Sequence, residues 1–337
     1  MERNPLRDHG DVLHTLMSLA SDEGYLFVAG VSKQWKSAWG EGPKKTHMNV
    51  AVQSASCLAW ARASGCPWNE KVCQRAATKG SLEAIQYARS EGCAWSSRTC
   101  AAAAGRGHLA VLQWCKGNGC PWNGRTCAAA ALEGYLVVVQ WCRANGCPWD
   151  GDTCSAAARG GHLEVLQWCR VNGCPWDFRT CSAAAGGGHL KMLQWCRANG
   201  CDWNIASCSS AAEGGHLEVL QWCRANRCLW NIFTCSAAAG AGHLEVLKWC
   251  KANGCPWNEE TTAKAAEGGH LEVLDWCRGN DCPWDVRTCM NAAAGGHLEV
   301  LKWCRSNGCP WDRNARFSAE RRGHEEVAQW CRSNGLP

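Results

Sequence analysis

The sequence has little of what most enzymes and secreted domains display. Its 337 residues include only three tyrosines, four phenylalanines and five methionines. No apolar run approaches the length needed to cross a bilayer, about 18 residues. Met1 to Ser21 lack an apolar stretch followed by a small-residue cleavage site, which argues against a secretory signal. Charge of one sign is not in excess either. The net charge is +5 with acids and bases interspersed, too weak a balance to suggest nucleic acid or an anionic membrane as partner. A serine elbow, a phosphate-binding loop and paired acids on one helix are also missing. The glycine-rich "AAAGGGHL" has no following Lys-Ser/Thr and no preceding strand. The expectation is a chain with no catalytic residue and no cofactor, intracellular in the cytoplasm or nucleus, and monomeric.

What is abundant is cysteine (28), tryptophan (22) and glycine (36). With no secretory route, cysteines are expected to stay reduced and act as small hydrophobes rather than as a disulfide framework. Their spacing is periodic. Cys66, Cys93, Cys120, Cys147, Cys174, Cys201, Cys228, Cys255, Cys282 and Cys309 follow one another every 27 residues. A second ladder, His108, Tyr135, His162, His189, His216, His243, His270, His297 and His324, keeps the same step. A fixed period of this length means a solenoid or array.

One unit, Trp176 to Asp202, shows the local logic. Asp177 is an N-cap type, and Asn69, Ser96, Asn123, Asp150, Asn204, Asn231, Asn258, Asp285 and Asp312 stand at the same phase. Cys181 to Ala185 read as a short helix, ended by Gly186 to Gly188. A second helix is predicted from Leu190 to about Asn199, with a wide stripe of Leu190, Met192, Leu193, Trp195 and Cys196. Each unit is thus helix, turn, helix, corner, and 27 residues bury too little surface alone, so stability must come from stacking. The expected fold is all-α: a solenoid of about ten to eleven helix-turn-helix repeats over residues 45–337, with a small helical segment at 1–44.

Gly161–Asp177, "GHLEVLQWCRVNGCPWD", resembles the second half of an ankyrin repeat, and the preceding Cys-Ser-Ala-Ala-Ala run resembles its first helix. About six residues of the 33-residue ankyrin unit are missing, those of its projecting hairpin. The resemblance, to a shortened Trp- and Cys-rich ankyrin variant, implies a non-catalytic scaffold holding an unknown protein partner. Near the N-terminus, Val31-Ser32-Lys33-Gln34-Trp35 after a run of spaced leucines resembles an F-box. That resemblance implies that Leu16, Leu19, Val31 and Trp35 contact a ubiquitin-ligase adaptor while the repeats select a substrate. A plain helical cap over the first repeat is the alternative.

Metal chemistry is weighed on Cys174, Cys181, His189 and Cys196. Thr262, Arg316 and Tyr135 interrupt equivalent sets, and a metal-binding thiol-rich protein is the distant alternative to packing cysteines. Nine equivalent positions, eight of them histidine, argue for a turn-fixing role rather than one special site. The two residues after each N-cap vary most between repeats, which places them on a free rim. Phe178, Arg179, Ile205, Ile232, Phe233, Glu259, Glu260, Val286 and Arg287 are therefore the candidate partner-binding residues. Arg143, Arg170, Arg197 and Arg224, with Lys116 and Lys251 in register, suit the negative ends of their helices.

Overall fold

The computed structural model describes residues 52–63 and 66–335. Among them lie 21 α-helices and no strand. The boundary expected at residue 44, and the F-box-like Leu16, Leu19, Val31 and Trp35, lie outside the described residues. The chain divides into two compact units, one ending at Trp149 and the other beginning at Asp150. The division falls between two repeats.

The polar residue before each first helix starts it as the sequence predicts. Asp177 is extended (φ −148°, ψ −168°), and its carboxylate accepts from the Arg179 amide, leading into the helix Phe178–Gly186. Asn123, Asp150, Asn204, Asn231, Asn258, Asp285 and Asp312 do the same for their own second residue on. Each bond satisfies an amide that the first helical turn leaves without a carbonyl. Ser96 makes no such side-chain bond. Three glycine-rich residues then turn the chain. Gly188 has φ +77°, a left-handed conformation that costs a residue with a Cβ. The second helix, Leu190–Ala198, follows at once. The degenerate first repeat keeps this plan in part: Ser54 Oγ accepts from the Cys57 amide at 3.2 Å at the head of Ala55–Ala63.

The core is made of small residues. Cys181, Ala184, Ala185, Leu193 and Cys196 are fully buried, and the same positions are buried in repeat after repeat. Alanine and cysteine let helices approach closely. In the Asp150–Pro337 unit the first helices Gly151–Gly160, Phe178–Gly186, Ile205–Glu213, Ile232–Gly240, Glu259–Glu267, Val286–Gly295 and Arg313–Arg322 pack directly on their neighbours in sequence, whereas successive second helices hardly touch. The first-helix side is therefore the closed side of that unit.

Histidine fastens one repeat to the one before it. His189 Nε2 lies 3.0 Å from the Arg159 carbonyl, His216 Nε2 3.1 Å from that of Gly186, and His270 Nε2 3.1 Å from that of Gly240. Each ring covers the left-handed glycine of the preceding repeat: a Cβ on Gly161 would lie 2.6 Å from the His189 ring. The imidazoles thus hold backbone, as expected, but across repeats rather than within one turn.

Trp195, on the apolar stripe of the second helix, is not fully buried as Leu193 and Cys196 are. Trp176 and Trp195 are half-buried and meet edge to face, with centroids 5.7 Å apart. The Arg170 guanidinium lies over Trp176 at 4.1 Å, and the same pairing recurs at Arg143–Trp149 and Arg278–Trp284. Arg143 Nη1 also donates to the Cys147 carbonyl at 3.1 Å. The arginines of the basic ladder are clamps between a backbone carbonyl and an indole face, and Lys116 and Lys251 lie over an indole in the same register.

Candidate binding face and thiol clusters

The rim residues named from sequence variation fall on the first-helix side, and the structure separates them into two groups. Phe178, Ile205, Phe233 and Val286 are exposed, Phe178 at 38% and Phe233 at 54%, while Ile232 is half-buried. The charged members hold one another. Arg179 bridges Asp177 of its own repeat and Asp152 of the preceding one, each at 3.0 Å. Arg287 meets Glu259 at 3.2 Å, Glu260 at 3.0 Å and Asp285 at 2.9 Å. Arg179, Glu259, Glu260 and Arg287 therefore brace successive repeats as well as facing outward.

Two adjoining clefts open on this face. One, of about 580 Å³, is lined by Asp152, Arg159, Phe178, Arg179 and Glu213, with small residues at its floor. The other, of about 510 Å³, lies between Glu213, Phe233, Lys264 and Glu267. Arg159, Glu213 and Glu267 occupy one position of the repeat, nine residues after the N-cap. The sequence reading missed it, although it holds Thr78, Gly105, Leu132, Arg159, Gly186, Glu213, Gly240, Glu267, Ala294 and Arg321, as varied as the two post-cap positions. Helical spacing explains the omission: two and nine residues after the cap are about two turns apart and share a face.

The thiols gather differently from the set weighed on sequence. Cys174, Cys181, His189 and Cys196 straddle two repeats, and the His189 ring is engaged at the Arg159 carbonyl. What comes together instead is one cysteine of the first helix, one of the second and one of the corner. The sulfurs of Cys127, Cys142 and Cys147 lie within 4.8 Å of one another, as do those of Cys235, Cys250 and Cys255 and of Cys289, Cys304 and Cys309. In these clusters each second-helix cysteine and its corner cysteine form a Cys-x4-Cys pair, as at Cys142 and Cys147, a zinc-like spacing not contained in the set of Cys174, Cys181, His189 and Cys196. The cysteines are free, and all but the half-buried Cys66 are buried. Hydrogen bonds with Cys142 and Cys147, together with burial, push the Cys127 thiol up. Those from Cys127 and Cys142 pull Cys147 down.

No helix among the described residues is long and apolar enough to cross a membrane. No family model matches the sequence, and neither does any curated protein. Two crystal structures of the pentatricopeptide repeat protein PPR10 in complex with an 18-nt psaJ RNA element are similar to this chain, one of them a cysteine-to-serine variant. Each shows 16% identity and a TM-score of 0.37, covering 99% of this chain and 62% of the other, so the chain spans less than two thirds of those proteins. The expectation that nucleic acid is no partner is corrected here: the similar helical-repeat structures hold RNA, and a net charge of +5 does not set that class of ligand aside.

Proposed function

We propose that the chain is a non-catalytic binding scaffold of shortened ankyrin-type repeats, and that it seats a protein segment on the first-helix face of its Asp150–Pro337 unit. The observation that carries the reading is the coincidence of variation and exposure. Positions that differ between repeats line the two clefts, while the recurring positions of Cys181, Ala184, Leu193 and Cys196 are buried. Phe178 and Phe233 supply apolar anchors of the kind that dominate protein interfaces. Arg179 and Arg287 already meet carboxylates, which suits a partner of mixed charge.

A photo-crosslinking residue placed at Phe233, with Val171 as control, tests the reading. Val171 is also exposed but lines a separate cleft with Trp176 and Trp195. Crosslinks expected at Phe233 are lost on protease treatment and survive ribonuclease; adducts lost to ribonuclease overturn the protein reading. In the purified complex, alanine at Phe178 and Phe233 is expected to weaken binding by about 1–2 kcal/mol each. Both side chains are exposed, so the melting temperature should stay within about 2 °C. A large fall in melting temperature would make these residues part of the packing instead.

A further inference from the structure

The three thiol clusters have a donor chemistry that the scaffold reading leaves unused. In each, three sulfurs from the first helix, the second helix and the corner converge within 4.8 Å. Their cysteines are no more than 3% exposed, and none is in a disulfide. Ligands anchored at three points of a closed hairpin are held in place before any ion arrives. No histidine or carboxylate belongs to these groups. A three-sulfur set disfavours zinc, which takes four ligands in structural sites, and excludes the hard oxygen-seeking cations. Soft thiolate sets select monovalent copper.

We propose that the Cys127–Cys142–Cys147, Cys235–Cys250–Cys255 and Cys289–Cys304–Cys309 clusters are each a three-coordinate site for one Cu(I) ion. Binding requires no oxidant or reductant. Cu(I) bonds to the three sulfurs as thiolates: three Cu–S bonds form, three S–H bonds break, and three protons pass to solvent. One monovalent ion replaces three protons, so the site gains a net charge of −2.

The chain contains its own control. At the first-helix position of the repeat after Asn258, Thr262 replaces cysteine, and its Oγ1 donates to the Pro283 carbonyl at 3.0 Å. A threonine there is compatible with the fold, so Cys127→Thr, Cys235→Thr and Cys289→Thr each remove a sulfur in a manner the array already tolerates.

The test is anaerobic titration of the reduced full chain with Cu(I) in the presence of bicinchoninate as competitor, with circular dichroism and X-ray absorption on the loaded protein. At least three ions per chain should resist the competitor, one for each cluster. Each copper should show three sulfur neighbours, helicity should be unchanged, and three protons should be released per ion. Each threonine variant is expected to lose one equivalent, and the triple variant three. The proposal is overturned if the competitor strips the wild type, if the variants retain full stoichiometry, or if copper binds only with loss of helix. Two-sulfur coordination would likewise assign the metal to other thiols. Where a threonine variant loses helicity, the wild-type stoichiometry and sulfur count still decide the matter. None of these readouts depends on a protein partner.

Discussion

Thr261 and Thr262 sit side by side on one helix, both buried, and their hydroxyls have opposite fates. Thr261 Oγ1 has no hydrogen-bond partner. Thr262 Oγ1 has the carbonyls of Glu259 and Pro283 as acceptors for its one proton, each at 3.0 Å. A buried hydroxyl without a partner carries its desolvation cost uncompensated, whereas a bonded one recovers it. Thr261→Val is therefore expected to stabilise the protein by about 1 kcal/mol, and Thr262→Val to destabilise it by a similar amount, about 1 kcal/mol. Urea denaturation of the two variants measures both signs; equal shifts in one direction would refute the assignment. No residue-level sequence argument separates the two threonines. Their difference depends on where Pro283 returns after the hairpin, 21 residues on from Thr262.

At the scale of the element, the corners show what the repeat demands and where it is violated. The residue before each corner cysteine is glycine at Gly146, Gly173, Gly200 and Gly254, with φ between +77° and +82°. At two corners it is not: Arg227 has φ +65° and Asp281 φ +60°. A Cβ in the left-handed region costs about 1–2 kcal/mol. Arg227→Gly and Asp281→Gly should each raise stability, by about 1 kcal/mol after the extra freedom that glycine gains in the unfolded chain is subtracted. Thermal melts of the single variants check this, and a fall in either would mean that the side chain makes a compensating contact. Elements were the best-read level of this sequence. Asp177, Asn204 and Asn231 cap helices where their chemistry says they should, because a cap bond closes over two residues and needs no tertiary context. The thiol clusters and the indole clamps were not legible in the same way. Cys127 meets Cys142 and Cys147 only once two helices and a corner have folded back together, and Arg170 finds Trp176 only after the corner has turned.

At the scale of the molecule, stacked repeats couple mainly to their neighbours, so stability is a sum of repeat terms and interface terms. Histidine offers a way to test that arithmetic. His216 closes on the Gly186 carbonyl and His270 on that of Gly240, so the two bonds belong to different interfaces of the Asp150–Pro337 unit. Removing either ring leaves a carbonyl short of its donor and uncovers the left-handed glycine beneath it, Gly188 or Gly242. His216→Ala and His270→Ala should each cost roughly 1–2 kcal/mol, the loss of a hydrogen bond together with an unsatisfied acceptor. Because the sites share no partner, the double variant should lose the sum of the two to within about 0.5 kcal/mol. Equilibrium unfolding in urea provides all three numbers. A double variant no worse than either single would mean that one interface had already come apart when the first histidine was removed. The nearest-neighbour account of this unit would then fail, and with it the expectation that the binding face keeps its shape when one repeat is altered.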